Sequence, residues 1–194
     1  MANRCTCFLF TALIAGAATV STTMAAEPAI TTYGERNAQA PSQLDLFAFL
    51  VGKWKGTGKA RLEDGKFAQF EIGWIGRYIL DGMAIADEGH GNFPDGRPYL
   101  GISLRQFDTK RNSWVIEFLN VSMSFLRRQV NPRSGSVSRN GSSVVIICED
   151  GEKRIRENYR VDDRDHFTYT MDSSSDAGRT WDPVSVEMTF TRVE

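Results

Sequence analysis

Alternation of apolar and polar positions dominates the chain after residue 52. Trp54, Gly56, Gly58, Ala60 and Leu62 fall on one side of a two-residue period and Lys55, Thr57, Lys59 and Arg61 on the other, the pattern of a strand with one buried and one wet face. Three of the buried-side positions are glycine or alanine. That predicts close approach by another element, or a sharp bend like that at a barrel corner. Comparable runs recur at 66–74, 78–88, 99–107, 113–122, 125–130, 143–148, 153–161, 166–171 and 183–192. Turn formers such as Asp64-Gly65, Asp95-Gly96, Asn140-Gly141 and Asp150-Gly151 separate them. No later segment keeps the period of an amphipathic helix. The pattern predicts an all-β domain, an antiparallel up-and-down β-barrel of about eight to ten strands.

The chain before the first strand has a different texture. Leu46, Phe47, Phe49 and Leu50 give a short N-terminal helix an apolar face, Gly52 ends it, and Ser42 with Asp45 has the form of a capping box. Residues 27–41 are polar, contain Pro28 and Pro41 and show no period, so a flexible leader is expected ahead of a barrel domain at 42–194. Residues 1–26 have the form of a cleavable signal peptide: Arg4, an apolar or small run at 7–20, then Ala25 and Ala26 at the expected cut. The run is shorter than the roughly 20 residues that span a bilayer. The expectation is a periplasmic or secreted protein with no membrane anchor once the signal is removed.

Charge narrows the partners. The chain has 23 basic and 24 acidic residues, of which Arg4 alone lies in the signal. Such mixed, near-neutral charge argues against nucleic acid or an anionic membrane as the main partner. Of three cysteines, Cys5 and Cys7 would leave with the signal, so Cys148 could form no internal disulfide. Its apolar neighbours Val144 to Ile147 make it a small buried hydrophobe.

The last strand carries a sharper signal. Val184, Val186, Met188, Phe190 and Arg192 share a face, and burying a guanidinium costs several kcal/mol, roughly, unless it is paired or stacked. Trp54 is the ring expected to receive it if first and last strands pair in a closed barrel. Gly52-Lys53-Trp54 after a short helix, with Arg192 on the last strand, resembles the lipocalin signature. The frame FLVGKWKGTG, DGRPYLGISLRQFD and SSDAGRTWDPVSVEMTFTR, covering about 44–192, is similar to a family of uncharacterised secreted bacterial proteins with a lipocalin-like (calycin) barrel. That resemblance implies a fold rather than an activity. It implies that Trp54 and Arg192 are structural residues closing the barrel bottom.

Ser174, Asp176, Gly178, Thr180 and Trp181 fit S-x-D-x-G-x-T-W, which resembles the Asp-box hairpin of sialidase propellers. A propeller needs many such units and a much longer chain. One copy is expected to organise one hairpin: Asp176 accepting backbone N–H groups, Gly178 at positive φ and Trp181 covering the loop.

Chemistry-bearing groups are sparse. Asp87, Glu88 and His90 are close in sequence, but Asp87 and Glu88 point to opposite faces of a strand, and a solvated rim is expected for the cluster. A relative of this fold binds haem through a histidine on a late strand; 183–192 has none, and His166 lies earlier. There is no H-x-x-H pair, no G-x-S-x-G and no phosphate loop opening a helix. No metal, cofactor or catalytic residue is therefore assigned. Arg154, Arg156 and Arg160 alternate with Glu157 and Tyr159, and if the arginines face solvent the other two point inward. An inward acid needs a partner, for which Glu71, Arg105 and Glu117 are candidates. The segments 99–107 and 113–122 are apolar on both faces, so either face fits the interior. The candidate ligand-binding residues are Trp74, Trp114, Phe118, Glu157 and Tyr159. Aromatic walls with a few interior charges suit a small hydrophobic or amphipathic ligand. Two alternatives are a cavity enzyme of isomerase, cyclase or lyase type using interior carboxylates, and an envelope interaction or scaffold protein.

Overall fold

The computed structural model describes residues 33–193 apart from 63, 94, 97, 121–124, 131–135 and 183, and side chains are not described at 125–130 or 150. Residues 1–26, expected from sequence to be a signal peptide, and with them Cys5 and Cys7, lie outside the described residues. Eleven strands follow a short helix: β1 Gly52–Arg61, β2 Phe67–Ile79, β3 Ala84–Asn92, β4 Pro98–Asp108, β5 Ser113–Asn120, β6 Phe125–Val130, β7 Ser136–Asn140, β8 Ser143–Asp150, β9 Lys153–Val161, β10 His166–Ser174 and β11 Val186–Val193. They form one antiparallel sheet in the order β6-β5-β4-β3-β2-β1-β11-β10-β9-β8-β7. The sheet curls until β6 comes against β8, giving a nearly closed up-and-down barrel. The first and last strands pair along their length, from Lys53 opposite Val193 to Ala60 opposite Val186.

Two departures from the sequence reading concern where strands stop. The run 78–88 is not one strand: Leu80, Asp81 and Gly82 all take positive φ (53°, 55° and 73°) and turn the chain between β2 and β3. Asp81-Gly82 is an ordinary hairpin signal, masked by the apolar residues around it. The strand β7 was not expected at all, because Val137 is its one apolar residue in a polar serine-rich stretch.

The N-terminal helix, Ser42–Leu50, is of the 3-10 type. With about three residues per turn, Leu44, Phe47 and Leu50 align on one side, and these are its buried residues. Burying such side chains contributes about 1.5–3 kcal/mol each. Ser42 does not cap it through its side chain, since Pro41 holds the capping position, and Asp45 instead pairs with Arg36 at 3.1 Å. Residues 33–41 are tied to the barrel. Gly34 bridges Tyr78, the Asn37 amide nitrogen donates to Gly82 O at 3.3 Å, and the Asn37 side chain donates to Asp81 at 3.1 Å.

The helix plugs one end of the barrel. Phe47 meets Trp114 edge-on at 4.9 Å, Phe49 meets Phe167 at 5.4 Å, and Trp54 Nε1 donates to Leu50 O at 3.0 Å. The Arg192 guanidinium lies 4.1 Å from the centre of the Trp54 ring and donates to Val51 O at 2.8 Å. Gly52 sits at φ 129°, and a Cβ there would collide with Arg192 Nη1, so both backbone shape and space demand glycine.

Candidate functional site

Above the plug the barrel encloses a cavity of about 340 Å³, within the usual range for small-molecule sites, roughly 300–1,000 Å³. Its wall is built by alternation. Phe70, Ile72 and Trp74 of β2 face Gly91 and Gly89 of β3, while Glu157 and Tyr159 of β9 face Met171 and Tyr169 of β10. Gly89 is needed because the Trp74 indole and the Tyr99 ring both lie over it, within 3 Å of where a Cβ would stand. Beneath the cavity Trp74 stacks on Phe190 and Phe190 on Phe167, each at 4.6 Å between ring centres. Such pairs add roughly 0.5–1.5 kcal/mol beyond the area they bury.

Polar groups gather at the inner end. Arg105, 1% exposed, forms an ion pair with Asp87 across the β3–β4 ladder. Its Nη2 donates to Tyr159 Oη at 3.2 Å, and Tyr159 donates in turn to Glu157 Oε2 at 3.2 Å. The guanidinium also lies 5.1 Å from the centre of the Phe47 ring, so the plug covers this cluster from below. The tyrosines are held neutral. Burial, reinforced by the Glu157 charge, pushes Tyr99 up to about 12 and holds Tyr159 and Tyr169 well above the usual phenol range.

Of the candidates from sequence, Trp74, Phe118, Glu157 and Tyr159 line the cavity. Trp114 does not: it is buried at the plug, 4.9 Å from Phe47 and 5.4 Å from Phe107. Glu71 borders the cavity but is exposed, and Glu117 lies on the outward side of β5, so Arg105 alone of the three proposed partners is buried. The Asp87, Glu88, His90 cluster is split by the wall rather than gathered at a rim. Asp87 is inside with Arg105; Glu88 pairs outside with Arg77, and His90 is exposed with its ring over Gly73. His166 is exposed beside Asp163 at 2.9 Å. The sequence reading passed over Tyr99, Ser103, Asn120 and Tyr169 as wall residues. Their signal was the alternation within β4, β5 and β10, obscured on β4 because its outward residues, Leu100, Ile102 and Leu104, are more apolar than its inward ones.

The S-x-D-x-G-x-T-W motif forms the hairpin between β10 and β11. Asp176 accepts from Thr180 N at 2.8 Å, Thr180 Oγ1 at 2.6 Å and Ser174 Oγ at 2.8 Å. These bonds, Thr180 first, lower its carboxyl to about 2. Gly178 has φ 84°, and Trp181 lies under the Arg156 guanidinium at 4.2 Å, while Arg156 pairs with Asp172 on the outer face.

With this geometry in view, residues 41–192 match a family described as "Protein of unknown function (DUF1579)". The chain belongs to that family. No curated protein matches this DUF1579 member. Two solved structures share its fold: Rv2717c from M. tuberculosis (TM-score 0.51, 12% identity, covering 80% of this chain and 99% of that one) and the S-type phycobiliprotein lyase CPES from Guillardia theta (TM-score 0.52, 11% identity, covering 79% and 94%). A redesigned β-barrel, mFAP1, bound to DFHBI, is a more distant likeness (TM-score 0.38, 17% identity, covering 74% and 95%).

Proposed function

We propose that this protein is a non-enzymatic binder that holds a small hydrophobic or amphipathic molecule in the barrel, and that it works outside the cytoplasm after removal of residues 1–26. The observation that carries the binding role is the cavity of about 340 Å³, walled by Trp74, Tyr99, Phe118 and Tyr169. Export rests on the signal pattern of the first 26 residues. The interior acids speak against a cavity enzyme, since Asp87 is ion-paired and Glu157 accepts from Tyr159. A general base needs reach to a substrate proton instead. Native mass spectrometry of protein purified from its own envelope tests the reading. A co-purifying small mass, lost when Phe118 is replaced by Glu, is the expected result; a homogeneous bare chain that also takes up no apolar dye overturns it.

An interaction role has one observation in its favour, the exposed leucines Leu100, Leu104 and Leu119 on neighbouring strands. Sedimentation of the wild type and of Leu104→Lys tests it: concentration-dependent association in the first and none in the second is the expected signature.

A further inference from the structure

Four polar groups on the cavity wall have no hydrogen-bond partner among the described residues: Trp74 Nε1 and the hydroxyls of Tyr99, Ser103 and Tyr169. Trp74, Ser103 and Tyr169 are only 6%, 8% and 8% exposed. None is among the sealed-off unpaired atoms of the described residues, so each opens onto the cavity and can meet a group that arrives there. Three of the four lie close together. The Trp74 and Tyr169 rings are 6.1 Å apart, and both the indole N–H and the Tyr99 ring lie over Gly89. Ser103 follows Tyr99 on the inward side of β4 and faces Phe118 across the ladder.

We propose that the cavity receives the polar head of an uncharged amphiphile, a carbonyl or comparable acceptor group, which Trp74 Nε1–H and a neighbouring hydroxyl from among Tyr99, Ser103 and Tyr169 bind while the apolar body lies along the aromatic wall. This rests on the cavity-binding reading and specifies its ligand. An indole N–H only donates, so the incoming group must accept. An ammonium head meets a Glu157 already held by Tyr159 and, bringing donors alone, leaves the indole without a partner. An anionic head meets Glu157 and finds no Lys, Arg or His among the described residues that line the cavity, and an unpaired buried charge is strongly disfavoured. A plain hydrocarbon leaves all four groups unsatisfied. The tyrosines, held protonated by burial and by Glu157, remain available as donors at neutral pH.

Equilibrium dialysis with four probes sharing one flat body tests this: 2-acetylnaphthalene, 2-methylnaphthalene, 2-naphthoate and (2-naphthylmethyl)ammonium. The ketone is expected to bind about tenfold or more tighter than the hydrocarbon, the worth of two ordinary hydrogen bonds, and tighter than either ion. In the Tyr169→Phe, Ser103→Ala double variant that preference shrinks while 2-methylnaphthalene binding is kept, which also shows the cavity to be intact. Should the double variant fail to fold, the wild-type ratio and Tyr169→Phe alone decide the question. If the hydrocarbon binds as tightly as the ketone, or an ion binds best, the cavity stands as a binding site and the acceptor-head inference falls. If none of the four binds, the cavity-binding reading falls and takes this inference with it.

Discussion

Arg105 and Asp87 form an ion pair inside the barrel, between the aromatic plug and the cavity floor. A charge buried this deeply depends on its partner. Replacing Asp87 by Asn or Ala leaves the guanidinium uncompensated and is expected to lower stability by about 3–5 kcal/mol. Replacing both, as Asp87→Leu with Arg105→Met, is expected to cost far less than the sum of the single changes. Urea unfolding of the two singles and the double checks this.

At the same plugged end, Arg192 stacks on Trp54 and bonds Val51 O. Arg192→Ala is expected to cost roughly 2–3 kcal/mol or more, from charge-assisted bonds to Val51 O and Arg164 O and one cation–π contact. Arg192→Lys recovers part of this, because an ammonium keeps the charge but not the flat stacking surface. Thermal unfolding followed by near-ultraviolet circular dichroism reads the difference.

The lowered Asp176 carboxyl makes the hairpin acid-sensitive in a defined window. Its folded value, about 2, lies below the ordinary 3.8, so its contribution is fully present above about pH 4 and is lost as pH falls through about 2. Asp176→Asn removes the ionisation but keeps the shape. The gap in melting temperature between wild type and variant is therefore expected to be open at pH 6 and to close toward pH 2.

The buried tyrosines set the alkaline limit. Their folded pKa values are raised, Tyr99 to about 12, so the stability they contribute is present below about pH 10 and fades as pH rises through the folded values. Absorbance at about 295 nm should show a class of phenols that ionise late, with unfolding. In Glu157→Gln, Tyr99 is expected to ionise earlier than in the wild type, yet still above a free phenol, since burial is the larger cause.

Much of the barrel was legible because β1, β2 and β11 alternate cleanly, and because Gly52, Trp54 and Arg192 stand where a barrel is shut. The turn at Leu80 to Gly82 was hidden because a leucine occupies a positive-φ position that sequence statistics assign to other residues. On β4 hydropathy pointed the wrong way: Leu100 and Leu104 face out, while Ser103 and Arg105 face in. An arginine can sit inside only when an acid on the adjacent strand meets it, and the Asp87–Arg105 pairing is a matter of register that no single segment reveals. Trp114 was placed with the cavity because an aromatic residue looks the same from sequence whether it faces a plug or a ligand.

The pairing of β1 with β11 also bears on the order of events in folding. Lys53 finds its partner in Val193, so the seam joins the two most distant strands of the chain, and contacts of such sequence separation form slowly. The barrel cannot shut until the final strand is available. A chain made from its N-terminus must therefore wait, with its aromatic interior open, for the last segment to be synthesised.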